Sequence, residues 1–229
     1  MNTIGLIGGI SPQSTILYYQ ILNDLANTKF GGNHSCKVII NSLDFGEISK
    51  LQSKDDWDTL DEIMKNAGKS LESAGADLII ICANTMHLCI DAVRSAVSIP
   101  VIHIAEATAE KIKEAQINKV ALLGTKYTME KDFFKDILLS SNIEVVIPDS
   151  NQRQIIHDVI YTELAKGIIN NASKQIYLQI IDNLIDKGVK GVILGCTEIP
   201  LLIKQEDVLV PVFDTTKIHA NAAFNSTLK

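Results

Sequence analysis

Eight short, almost unbroken apolar runs punctuate this chain: Thr3–Ile7, Lys37–Ser42, Asp77–Ile81, Val101–His103, Lys119–Leu123, Glu144–Ile147, Gly191–Leu194 and Val210–Phe213. Between most of them lie longer stretches whose apolar positions recur at helical spacing: Ser14–Asn27, Asp55–Ala74, Ala105–Glu114, Met129–Ser140, Gln152–Lys166 and Ser173–Lys187. A run of four to six apolar residues without polar alternation predicts a strand covered on both faces, as in a parallel sheet. Strands that alternate with amphipathic helices predict α/β units with right-handed crossovers.

The pattern repeats. Gly75-Ala76-Asp77-Leu78-Ile79-Ile80-Ile81-Cys82-Ala83-Asn84-Thr85 has a counterpart in Gly188-Val189-Lys190-Gly191-Val192-Ile193-Leu194-Gly195-Cys196-Thr197-Glu198. Aligned glycine to glycine, Ala83 falls on Cys196, Asn84 on Thr197 and Thr85 on Glu198. Ile4-Gly5-Leu6-Ile7-Gly8-Gly9 matches Val120-Ala121-Leu122-Leu123-Gly124-Thr125, and Pro100-Val101-Ile102-His103 matches Pro211-Val212-Phe213-Asp214. The three pieces come in the same order in each copy, the signature of a duplication. The expectation is α/β with two pseudo-symmetric, doubly wound parallel-sheet domains: 1–100 plus 211–229 as the first and 101–210 as the second.

Composition narrows the function classes. The chain has 229 residues, 46% hydrophobic and 21% charged, with a net charge of −6. These values suit a globular protein with a substantial core and argue against a nucleic-acid or anionic-membrane partner. No stretch approaches the ~20 apolar residues of a membrane span. The N-terminus runs directly into a strand-like segment, so a cytoplasmic location is expected. None of Cys36, Cys82, Cys89 and Cys196 forms a C-x-x-C pair, and no Cys/His spacing fits zinc.

In a parallel sheet, ligands gather beyond the carboxyl ends of the strands. Four polar turns lie there: Gly8–Ser11, Ala83–Thr85, Gly124–Thr128 and Cys196–Glu198. Ser11 before Pro12 reads as a helix N-cap, and its turn can also receive a carboxylate. Neither G-x-G-x-x-G nor a P-loop lysine is present, which disfavours a nucleotide-using oxidoreductase. Thr125 and Thr128 can cap the next helix or donate to a substrate. Asn84 can cap too. Cys196, at a strand end before a helix, is the candidate acid/base or nucleophile, its thiol expected to be acidified by the helix dipole. His87, His103 and His219 fall near strand ends, where a hydrogen-bonded structural histidine is the ordinary case. His87 stands one helical turn after Ala83, a spacing suited to orienting that turn. Trp57 among Asp55, Asp56 and Asp58 reads as a helix start.

With these turns in place, the chain resembles the aspartate/glutamate racemase family, in particular its cofactor-independent amino-acid racemases. The matching pieces are Ile4-Gly5-Leu6-Ile7-Gly8-Gly9-Ile10-Ser11, Asn84-Thr85-Met86-His87, Leu122-Leu123-Gly124-Thr125, Gly195-Cys196-Thr197-Glu198 and Val210-Pro211-Val212-Phe213-Asp214. The resemblance implies a homodimer with a small-molecule amino-acid substrate, aspartate or glutamate, bound in an active site between the two domains. It implies two thiols on opposite faces of the substrate Cα, one removing and one delivering a proton, with no cofactor, neither PLP nor metal. Ser11, Asn84, Thr85, Thr125 and Thr197 would hold the α-carboxylate or amino group, and Gln52 the side-chain carboxylate.

One position departs from the family pattern. The first thiol should precede Asn84-Thr85, where this chain has Ala83, which carries no ionisable group. Cys82 lies one residue earlier, and consecutive strand residues point to opposite faces, so Cys82 should enter the core. Three readings of Ala83 stand: an introduced substitution that disables one acid/base of a racemase, a natural one-base enzyme such as a related decarboxylase, or a non-catalytic dicarboxylate or amino-acid binding protein.

Overall fold

The computed structural model describes residues 1–228. The chain divides into two compact units, Met1–Ile104 together with the chain from His219 onward, and Ala105–Ile218. The division falls a few residues beyond positions 100 and 210 because each proline-led strand pairs with the sheet of its own repeat.

In the first unit, β1 (Ile4–Gly8), β2 (Val38–Ser42), β3 (Leu78–Ile81) and β4 (Val101–Ile102) form a parallel sheet in the order β2-β1-β3-β4. The helices α1 (Pro12–Phe30), α2 (Phe45–Ser53), α3 (Trp57–Ser73), α4 (Ile90–Ala96) and the start of α5 (Ile104–Glu114) accompany it. Two apolar clusters take alternate residues of β3. Ile79, Ile81 and Ala83 join Leu60, Met64 and Leu71 in one. Leu78, Ile80 and Cys82 join Tyr18, Leu22 and Phe224 in the other. This period of two shows a strand buried on both sides, and it sends Cys82 into the core away from Ala83.

In the second unit, β5 (Lys119–Gly124), β6 (Glu144–Val146), β7 (Val192–Gly195) and β8 (Val212–Asp214) form a parallel sheet in the order β6-β5-β7-β8. The order is that of the first sheet, so the sequence repeat is a repeat of topology. The helices are α6 (Lys126–Glu130), α7 (Asp132–Ser140), α8 (Ser150–Thr162), α9 (Asn171–Asp186) and α10 (Ile199–Leu202), with α11 (Thr215–Ser226) beginning there. Ala121, Leu123, Met129, Ile160, Tyr177, Leu184 and Leu194 centre its core.

The helices differ from expectation in three respects. The stretch expected as one helix over 129–140 is broken at Lys131, whose extended backbone (ψ 156°) separates α6 from α7. The expected helix over 152–166 ends at Thr162, and a single 3-10 turn, Leu164–Lys166, follows. Four helices, α2, α4, α10 and α11, lie outside the stretches expected to be helical. They are too short for an apolar spacing to announce them, or, as in α11, rich in small and polar residues. No helix among the described residues is long and apolar enough to cross a membrane.

Candidate active site

In the first unit the turns after β1 and β3 are neighbours because those strands pair in register, Ile4 with Leu78 through Ile7 with Ile81. The β1 turn is tightly tied. Ser11 caps α1, accepting from the Ser14 amide at 3.3 Å, and the Gly9 amide donates to the Thr15 hydroxyl at 2.8 Å. Gly9 has φ +82°, and a Cβ there would meet the Leu43 carbonyl oxygen at 2.1 Å, so only glycine fits. The Ser14 hydroxyl then crosses to the β3 turn and donates to the Cys82 carbonyl at 2.5 Å. Thus Ser11 and the Ala83–Thr85 turn are brought together through the neighbouring Ser14.

Ala83, Asn84 and Thr85 are all buried. Asn84 stands at the N-terminal position of the 3-10 turn Thr85–Cys89, but its side chain makes no capping hydrogen bond, contrary to the capping role it could have had. Gln52 arrives from α2. Its side chain is buried and its Nε2 lies 3.1 Å from the Met86 sulfur, one residue beyond Thr85. The structure therefore gathers Ser11, Gln52, Ala83, Asn84 and Thr85 at the carboxyl end of one sheet. Cys82 sits in apolar surroundings, and burial drives its thiol far above the usual range.

In the second unit β5 and β7 pair in register up to Gly124 with Gly195. The two glycines allow this close approach: a Cβ on Gly195 would stand 2.9 Å from the Leu123 carbonyl oxygen, and one on Gly124 2.8 Å from that of Gly195. Thr125 caps α6 by accepting from the Thr128 amide at 3.2 Å, and the two threonine hydroxyls lie 3.2 Å apart. The capping role is therefore real, and the Thr128 methyl packs at the strand end, 3.2 Å from where a Gly195 Cβ would stand.

At that turn Cys196, Thr197 and Glu198 form a hydrogen-bonded triplet. The Cys196 thiol donates to Glu198 Oε2 at 2.9 Å, and the Thr197 hydroxyl donates to the same oxygen at 2.6 Å. All three residues are buried. Burial, reinforced by the adjoining Glu198 carboxylate, raises the Cys196 thiol well above its ordinary value. This corrects the expected acidification. The following helix, α10, spans only Ile199–Leu202, too little dipole to offset desolvation and a neighbouring carboxylate. The resting sulfur is a protonated thiol with a proton acceptor already in place. Tyr161 and Tyr177 lie close enough for Cys196 to add to the upward shift of their phenols, which burial dominates.

Glu198 was in the matched motif but was not singled out as a functional residue. The signal available was its place two residues after the thiol. What the sequence could not show is that its carboxylate turns back onto both Cys196 and Thr197. Nor does helical spacing tell that Tyr161 and Tyr177 belong near the thiol.

The model of the family described as Asp/Glu/Hydantoin racemase matches residues 7–223. A candidate Asp/Glu racemase from Yersinia pestis has a solved structure 47% identical to this chain, with a TM-score of 0.94 and full coverage of both chains. An aspartate racemase homologue from Pyrococcus horikoshii OT3 is 40% identical, with a TM-score of 0.88 and again full coverage of both. The broad specificity amino-acid racemase RacX of Bacillus subtilis is 22% identical over 98% of this chain and 98% of its own length. The chain belongs to the Asp/Glu/Hydantoin racemase family.

Proposed function

We propose that this chain is a cofactor-independent amino-acid racemase-type enzyme for aspartate or glutamate, with Cys196 as its acid/base and its second acid/base position blank at Ala83. The observation that carries this reading is the buried Cys196 thiol donating to the Glu198 carboxylate at 2.9 Å. In the proposed step, the thiol proton passes to Glu198 and the resulting thiolate takes the substrate Cα proton. The electron pair of the broken C–H bond stays on Cα, delocalised into the carboxylate. Reversal returns a proton to the same face. Inversion needs a donor on the other face, and Ala83 offers none. The proposed enzyme therefore exchanges the Cα proton of one enantiomer faster than it racemises.

Ser11, Asn84, Thr85, Thr125 and Thr197 are the proposed holders of the α-carboxylate and amino group, and Gln52 that of the side-chain carboxylate. Their hydroxyl and amide donors suit an anionic substrate and a carbanion-like state. We further propose a cytoplasmic homodimer without PLP or metal, as the resemblance implies. Ala83 beside an intact Cys196 also favours a second reading, a one-base decarboxylase of the same superfamily. In that case the thiol protonates the carbanion left by CO2 loss.

The test is proton NMR of L- and D-aspartate and L- and D-glutamate incubated with the protein in D2O, beside a Cys196→Ala control. Exchange of one enantiomer without inversion, lost in the control, supports the proposal. No exchange of any of the four, with CO2 release from substituted malonates, replaces it with the decarboxylase. Binding without either reaction leaves a non-catalytic binding protein.

A further inference from the structure

Three histidines far apart in sequence form one buried layer beneath the Ala83–Thr85 turn. The His87 ring lies 4.8 Å from that of His103 and 5.4 Å from that of His219, and all three are at most 2% exposed. The hydrogen bonds of His87 define its tautomer. The Ile104 amide donates to His87 Nε2 at 3.2 Å, so Nε2 carries a lone pair. The proton is then on Nδ1, which donates to the Ala83 carbonyl at 2.8 Å. His219 is determined in the same way: Nε2 donates to the Ile102 carbonyl at 3.0 Å, and Nδ1 accepts from the Tyr18 hydroxyl at 2.9 Å. With both nitrogens of two rings engaged by protein groups, the layer is not a metal site, and no group of metal-binding side chains is found among the described residues.

We infer that His87 is a positioning residue whose neutral imidazole latches the Ala83–Thr85 turn, with the Ala83 carbonyl on one nitrogen and the Ile104 amide on the other. The latch holds the backbone that aims Asn84 and Thr85. A protonated His87 would lose its acceptor for Ile104 and place a cation against two other imidazoles. Burial, then His103 and His219, lower its proton affinity well below the ordinary value, in keeping with a neutral ring. Among the described residues, Arg94, beside His103, and Tyr18, on His219, face the layer. The inference gives a role to a residue outside the proposed chemistry and rests on that reading only for the identity of the substrate.

Two measurements need no turnover. Long-range 15N–1H correlation of the wild-type imidazoles should show His87 as the neutral Nδ1–H tautomer from pH 8 to pH 5. An Nε2–H or charged ring would overturn the inference. Hydrogen exchange of the amides at 84–88 should then be compared in His87→Leu and His87→Asn. Asparagine presents an N–H near the place of Nδ1, whereas leucine keeps bulk without a donor. Exchange should rise about tenfold in H87L, the effect of one lost buried hydrogen bond, and return to within about threefold of wild type in H87N. Equal effects of the two variants, or exchange raised equally throughout β1, would reduce His87 to packing. If wild type exchanges substrate Cα protons, H87L should raise KM more than it lowers kcat. If wild type does not, the proposed function fails while the tautomer and exchange results still judge the latch.

Discussion

The turns that follow β3 and β7 occupy the same place in two sheets of the same strand order, yet they carry opposite chemistry. After β7, thiol, hydroxyl and carboxylate are bonded to one another within three residues. After β3, the corresponding residues are Ala83, Asn84 and Thr85, and the His87 imidazole that follows is spent on the Ala83 carbonyl. In the proposed reading, one turn moves a proton and the other only binds substrate. The repeat conserves the frame, while the side chains at its strand ends decide what each copy can do.

The largest test of this contrast is Cys196→Ala. It should lower Cα proton exchange by about 10³-fold, within the range of a lost general acid/base, as read by NMR in D2O. An unchanged rate would move the chemistry elsewhere. The converse experiment is Ala83→Cys. Restoring an acid/base to the blank turn should raise racemisation by about 10²-fold over the parent, followed by polarimetry or chiral chromatography. No gain would favour the decarboxylase or binding reading.

Glu198→Gln keeps an oxygen acceptor for Cys196 and Thr197 but cannot receive the thiol proton. Exchange should fall by roughly 10- to 100-fold for loss of the proton acceptor, and its pH dependence should move to lower pH, since the carboxylate that raises the thiol is gone. A pH–rate profile matching the parent would remove Glu198 from the proton path.

The histidine layer beneath the β3 turn should also make the fold sensitive to acid. Burial holds His103 at about 3 and His219 at about 4, both below the ordinary value of 6.5. A base with depressed folded-state affinity binds more protons when unfolded. Its contribution is therefore complete above pH 6.5 and is lost as pH falls from there towards 4. Each such imidazole removes about 1.4 kcal/mol per pH unit in that window. Denaturant midpoints between pH 7 and pH 5 should fall, and less so in His219→Gln. A flat profile would mean that the imidazoles are charged in the folded protein.

The central strands β1, β3, β5 and β7 could be read from the chain because strands buried on both faces write near-continuous apolar runs, and the half-exposed edge strands β2 and β6 still keep short apolar runs. The alternation of Cys82 and Ala83 between two cores followed from the same rule. The helix α2 could not be read. Its apolar residues Phe45, Ile48 and Leu51 recur at helical spacing over only 9 residues, too short a window to announce a helix, and Gln52 comes from the family resemblance, not from its element. The tail helix α11 buries Thr215, Thr216, His219, Ala220 and Ala223, small and polar residues that pattern analysis treats as loop.

The chain by itself determined the duplicated α/β plan and the inequality of its halves, Ala83 against Cys196, because strand burial and turn chemistry are local properties of consecutive residues. Tertiary structure alone decided the protonation of the site. The Cys196 thiol is kept neutral by burial and by a carboxylate folded back upon it, against the acidification its place before a helix suggested. His87 meets His103 and His219 only because strand pairing and a returning C-terminal helix bring them into one layer. Proton affinity depends on solvent access and on neighbours in space, and neither is written in the order of residues.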